Sequence, residues 1–144
     1  MAQFLSGDFG AATERFVASW SADISERAAR AQELSERVAA LSATAEGADG
    51  AVQVTVAASG AMTDLRLDDR VSRWRADEIA AEVLAVMRRA QGRLAPQVAD
   101  AAAETVGADS ETARAVVGSY ERRFPEVPEE EDEQGYAGWG DRGR

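Results

Sequence analysis

The chain has no cysteine, no histidine and no lysine among its 144 residues, so all 16 basic side chains are arginine. Without cysteine or histidine there is no thiol nucleophile, no Ser-His pair and no ordinary zinc ligand set. Without lysine there is no P-loop phosphate lysine and no Schiff base. Carboxylates are left as the general acids or bases, and they sit on charged helix faces such as Ser25-Glu26-Arg27 or in an acidic end. The expectation is a protein that is not an enzyme and carries neither metal nor cofactor. Lysine-free, arginine- and alanine-rich usage reflects a GC-rich coding sequence and is not a functional signal.

Long apolar runs are missing as well. No stretch approaches the ~18 residues of a membrane span, and Met1-Ala2-Gln3-Phe4-Leu5 lacks the charged start of a secretory signal. A cytoplasmic protein with no membrane partner is expected, which the lack of cysteine fits. Aromatic residues are sparse: between Trp20 and Tyr120 there is only Trp74. Sheet-based single-strand binders stack bases on aromatic platforms, so an RRM or OB-type role is disfavoured. Trp74, in Ser72-Arg73-Trp74-Arg75, reads as a residue closing the core between a strand and the helix after it.

What is present is a single clean change of hydrophobic period between Gly50 and Arg93. Val52, Val54 and Val56 alternate with small or polar residues, Ala58-Ser59-Gly60 turns the chain, and Leu65 and Leu67 resume the alternation. Ile79, Val83, Met87, Ala90 and Leu94 then recur at helical spacing, so a β-hairpin feeds a helix. So small a hairpin cannot bury a face alone.

Upstream, Val17, Trp20, Ile24, Arg27, Ala31, Leu34, Val38, Leu41 and Ala45 follow a 3-4 spacing, apolar at every step except Arg27, which describes one long helix with a narrow seam. A helix of about 30 residues is roughly 45 Å long, against about 20 Å for a six-residue strand. The outer half of the seam therefore needs a partner. A second copy of the chain is the economical one; folding back onto the chain's own C-terminal helices is the alternative. The dimer-interface candidates are Val17, Trp20, Ile24, Leu34, Val38 and Leu41.

Further along, Gly92 and Pro96 predict a kink or break, Gln97–Val106 is compatible with helix, and Gly107-Ala108-Asp109 reads as a stop followed by an N-cap. A last helix over Ser110–Phe124 would carry Ala113, Val117, Tyr120 and Phe124 on one side. Beyond it, residues 125–144 hold seven acids and two arginines, half of the formal charge of −10. Prolines, a like-charge block and four glycines make a disordered acidic tail the expectation. Tyr136 and Trp139 are either carried by that tail or form a short motif for a partner.

The order of elements, with Gly50-Ala51-Val52-Gln53-Val54-Thr55-Val56, the Ser59-Gly60 turn, Thr63-Asp64-Leu65-Arg66-Leu67-Asp68 and the amphipathic Ile79–Arg93, resembles the YbaB/EbfC nucleoid-associated family over about residues 12 to 95. The resemblance implies an α+β fold: a long N-terminal helix, a small three-stranded antiparallel sheet with its hairpin at 51–67, and a C-terminal helix, in an intertwined homodimer. It implies that Ser42–Glu46 is the first strand, which composition does not indicate. The expected organisation is a flexible N-terminus at 1–11, a dimerisation and DNA-binding domain at 12–106, an accessory helix at 107–124 and the tail at 125–144.

The resemblance also implies binding of double-stranded DNA with little sequence preference and a nucleoid location. Sequence-independent affinity comes from cations on phosphates, a role that suits the guanidinium fork. The DNA-binding candidates are Arg66, Arg70, Arg73, Arg75, Arg88, Arg89 and Arg93. Asp64, Asp68, Asp69, Asp77, Glu78 and Glu82 share the segment, so a solvated mixed-charge face stays open as the reading of any single arginine. The acidic tail could compete with DNA for the same surface. A different class of function, a dimeric protein-interaction adaptor such as a secretion-associated accessory protein binding through residues 110–144, is the alternative. A purely structural coiled-coil dimer is a third.

Overall fold

The computed structural model describes residues 2–128, with side chains from Gly10 onward. Helix α1 spans Ala2–Ala39, and three strands follow: β1 (Ser42–Gly47), β2 (Val52–Ala57) and β3 (Met62–Leu67). A 3-10 turn at Asp69–Arg73 leads into α2 (Ala76–Gly92), α3 (Leu94–Glu104) and α4 (Glu111–Arg123). The strands form one antiparallel sheet in the order β1-β2-β3. Among the described residues, no helix is long and apolar enough to cross a membrane.

The helical seam read from the sequence needs one correction. Helix α1 stops at Ala39, so Leu41 lies just past its end and Ala45 is in β1. A stretch of alternating small and polar residues fits a helical seam as easily as a strand. Packing decides: Ala43, Ala45 and Gly47 are buried on one face of β1, where α2 crosses the sheet. A Cβ on Gly47 would stand 2.2 Å from Glu82 Oε1 and 2.5 Å from Val86 Cγ2, so the crossing requires glycine.

The core lies between α2 and the sheet. Val52, Val54 and Val56 of the central strand are fully buried and pack with Val86, Ala90, Leu94 and Val98. Trp74 closes the near end of this cluster, as its place between strand and helix predicts. A second, smaller cluster joins Leu34 of α1 to Ala101 and Ala102 of α3 and Ala113 of α4. Alanine at these contacts lets the helices approach closely. The break between α2 and α3 falls at Gly92–Arg93, with Pro96 inside the first turn of α3. There its missing N–H leaves no helical hydrogen bond unmade.

Between α3 and α4, the left-handed Gly107 (φ 93°) donates back to Ala102 O over 2.8 Å. The N-cap of α4 is Ser110, whose hydroxyl accepts from Ala113 N at 3.1 Å, one residue beyond the cap read from the sequence. Helix α4 docks on the body. Tyr120 Oη donates to Ala58 O at 2.7 Å, and the Phe124 ring lies on Gly60 in the hairpin turn. Residues 129–144, with Tyr136 and Trp139, lie outside the described residues.

Candidate nucleic-acid interface

The arginines singled out from the sequence fall into two groups. The first follows the end of β3. Arg66 is on the solvent face, paired with Asp64 at 3.0 Å, and Arg70 pairs with Asp68 at 3.0 Å. Arg73 is exposed at the end of the 3-10 turn, and Arg75 pairs with Asp77 at 3.3 Å at the entrance to α2. Arg70 also donates to Asp49 O at 3.1 Å, tying this segment to the β1–β2 turn. Its backbone N–H and guanidinium hold the Asp68 carboxyl below the usual carboxylate range. Such exposed pairs are each worth about 0–1 kcal/mol, so a phosphate can displace the carboxylate.

The second group sits on the last turns of α2. Arg88 is exposed, while Arg89 and Arg93 reach across to the edge strand, donating to Glu46 O and Thr44 O respectively. The Arg93 bond is 2.6 Å long. These two guanidiniums thus help hold α2 against β1. The seven candidates do not converge on one patch within a single chain.

Glu82 belongs to the fold. Its side chain is buried under Gly47, and burial pushes its carboxyl above the ordinary glutamate range, opposed by the charge of Arg89.

The apolar candidates divide as well. Leu34, Val38 and Leu41 pack within their own chain, whereas Val17, Trp20 and Ile24, joined by Phe16, are exposed. Sequence reasoning missed a second exposed apolar surface. Pairing across the sheet puts Leu65 and Leu67 of β3 on the same face as Val54 and Val52. A register shift between Thr55 and Val56 brings Met62 opposite Val56. Helix α2 covers β1 and β2 but scarcely touches β3. Leu65 and Leu67 are left 42% and 45% exposed, and Leu84 of α2 is also exposed. The period-two pattern marked these leucines as one face of a strand, but could not show that the single helix stops short of them.

Also unforeseen was a cluster at the hairpin turn. The Arg123 guanidinium lies 5.6 Å from the Tyr120 ring centroid and 4.9 Å from that of Phe124, and donates to Ser59 O at 3.4 Å. The Tyr120 and Phe124 spacing was the available signal.

Among the described residues no group of acidic side chains is arranged to hold a metal ion. No curated protein and no solved structure matches the chain. A profile of the YbaB/EbfC DNA-binding family matches residues 18–109, from the middle of α1 to the loop before α4 and well over half of the sequence. The chain therefore belongs to the YbaB/EbfC DNA-binding family, a non-enzymatic family, and membership implies nucleoid-associated DNA binding.

Proposed function

We propose that the protein binds duplex DNA as a homodimer, with little sequence preference, through arginine–phosphate contacts. The observation that carries the dimer is the apolar surface the chain leaves uncovered. Phe16, Val17, Trp20 and Ile24 project from the outer half of α1, and Met62, Leu65 and Leu67 line the part of the sheet's inner face that α2 leaves uncovered, with Leu84 of α2 exposed as well. Clusters of large exposed apolar side chains such as these mark association sites. Two copies related by a two-fold axis could each set the outer half of α1 on the other's β3 and α2, burying both surfaces at once.

The arginines give the dimer its DNA contacts. Arg66, Arg70 and Arg73 are exposed within eight residues of chain, and their acidic partners sit on the surface. Two-fold symmetry doubles the set. The adaptor reading has less support, because the apolar side of α4 is already occupied: Tyr120 and Phe124 pack on the hairpin turn of their own chain.

The test is fluorescence anisotropy of a random-sequence duplex over a salt series, with sedimentation to fix the mass. The expected mass is twice the 15.3 kDa of one chain. Affinity should fall with salt at a slope near −0.9 in log units per phosphate contacted, and Arg66→Gln and Arg73→Gln should each reduce that slope by about one. Binding indifferent to salt, or a monomer that binds DNA, would overturn the proposal.

A further inference from the structure

The two arginine groups differ in what neutralises them. In the first group Arg66, Arg70 and Arg75 each have an aspartate partner, with Arg73 the exposed exception. Towards the other end of α2, Arg88 and Arg93 have no such partner among the described residues. Among the described residues, Arg93 and Arg123 are bonded to the neutral carbonyls of Thr44 and Ser59, and neither Arg88 nor Arg122 has an ion pair. These four residues belong to the last turns of α2 and α4, whose ends meet over the hairpin turn, where Gln91 donates to Gly60 O and the Phe124 ring lies on Gly60.

The chain leaves its described part at this place. After Phe124 is seated on Gly60, Pro125–Val127 crosses Gly92 at the C-terminal end of α2. A Cβ on Gly92 would stand 3.0 Å from Pro125 O, 3.1 Å from Glu126 Cα and 3.5 Å from Val127 N. Arg93 is the C-cap of α2, and Arg88 lies one turn back from Gly92, about 6 Å along the axis. Two residues beyond Val127 begins a run of five consecutive acids, Glu129-Glu130-Glu131-Asp132-Glu133.

We infer that this acidic run docks in cis on Arg88, Arg93, Arg122 and Arg123, and there competes with nucleic-acid phosphate. The competition rests on the DNA-binding reading above; the docking does not. Three physical facts support it. Carboxylate and phosphate are both partners of the guanidinium fork. Five extended residues span about 17 Å, enough to pass along the last turns of α2. With only Pro128 between Val127 and the run, its effective concentration at the arginines is in the millimolar range or above, which no free polyanion of equal intrinsic affinity matches at low concentration.

The test uses the full chain, whose lack of cysteine lets Gln134→Cys carry a single nitroxide beside the run. Paramagnetic attenuation of backbone amide signals is recorded for this chain and for one also carrying E129Q, E130Q, E131Q, D132N and E133Q. Because the tether alone brings the label near Gly92, the difference between the two chains decides. At low salt the charged run should attenuate Arg88–Arg93 and Ser119–Arg123 several-fold more than the neutral run, and high salt should abolish the difference. Equal attenuation in both chains overturns the docking. When isotope-enriched chains without nitroxide are mixed with nitroxide-bearing chains, charge-dependent attenuation of Arg88–Arg93 and Ser119–Arg123 across chains as strong as that within one chain overturns its cis placement. In the anisotropy assay, the neutralised chain without nitroxide should bind duplex about tenfold more tightly than wild type at low salt, the two converging as salt rises. Equal DNA affinity overturns the competition. DNA binding absent from both chains overturns the DNA reading and the competition with it, leaving the docking to be decided by the attenuation.

Discussion

The central strand and its neighbour β3 lie in one sheet and turn apolar residues to the same side, yet their fates differ. Val52, Val54 and Val56 of β2 are fully buried, while Leu65 and Leu67 of β3 remain nearly half exposed. The two ends of α1 repeat the contrast: Leu34 is buried against α3 and α4, whereas Trp20, four turns earlier, is 60% exposed. One chain provides one covering helix for three strands and a helical hairpin for half of α1. Those regions are complete in the single chain; the others are apolar without cover, and that distinction separates residues needed for folding from residues available for association.

The sharpest way to break the comparison is to place a charge on each side of it. Val54→Asp puts a carboxylate at a fully buried position with no partner and should abolish cooperative folding, a loss of more than about 4 kcal/mol visible as absent helical circular dichroism. Leu65→Asp, directly opposite on the next strand, should leave a folded chain of monomer mass by sedimentation. If both variants unfold alike, β3 is as much a part of the single-chain core as β2.

A smaller effect is expected where the hairpin joining these strands is tied to α4. Gly60 has φ 87°, and a Cβ there would stand 2.2 Å from Phe124 Cζ. Gly60→Ala should cost about 2 kcal/mol in urea denaturation, through left-handed backbone strain and a displaced ring together. A Phe124→Ala background should recover part of that loss, because only the backbone strain would remain.

The smallest effect sharpens the comparison on the covered side. Burial raises the Glu82 carboxyl above its unfolded value, so the folded state favours the protonated form. The associated stability is present at low pH and is lost as pH rises through the raised value. Glu82→Gln should therefore raise the melting temperature by a few degrees at neutral pH, and the gain should shrink as pH falls into the carboxylate range. A gain independent of pH would assign the effect to something other than titration.

The hairpin and α2 were legible because their valines and leucines keep strict periods. β1 was not, because Ala43 and Ala45 suit either period and only the close passage of α2 over Gly47 makes them core residues. The cap of α4 was displaced by one residue because Asp109 and Ser110 are both good caps, and Ser110 is the one whose hydroxyl meets Ala113 N. Among the arginines, sequence showed a basic series but not its destinations. Arg89 and Arg93 bind carbonyls more than 40 residues away, a pairing that depends on where α2 crosses the sheet. The aspartates beside Arg66 and Arg70 were visible as neighbours, and they are partners.

Those two cross-sheet contacts have a consequence for how copies can join. Edge strands are templates for further strands, and a sheet with two accessible edges can grow without limit. Along β1, the Thr44 and Glu46 carbonyls are already held by Arg93 and Arg89, so an incoming strand would have to displace two guanidiniums. Helix α2 scarcely touches the other edge, β3. If copies join along that edge, a single encounter uses it up: two sheets paired through β3 have nothing left to offer a third, so such joining would end in a closed pair and not in a fibre.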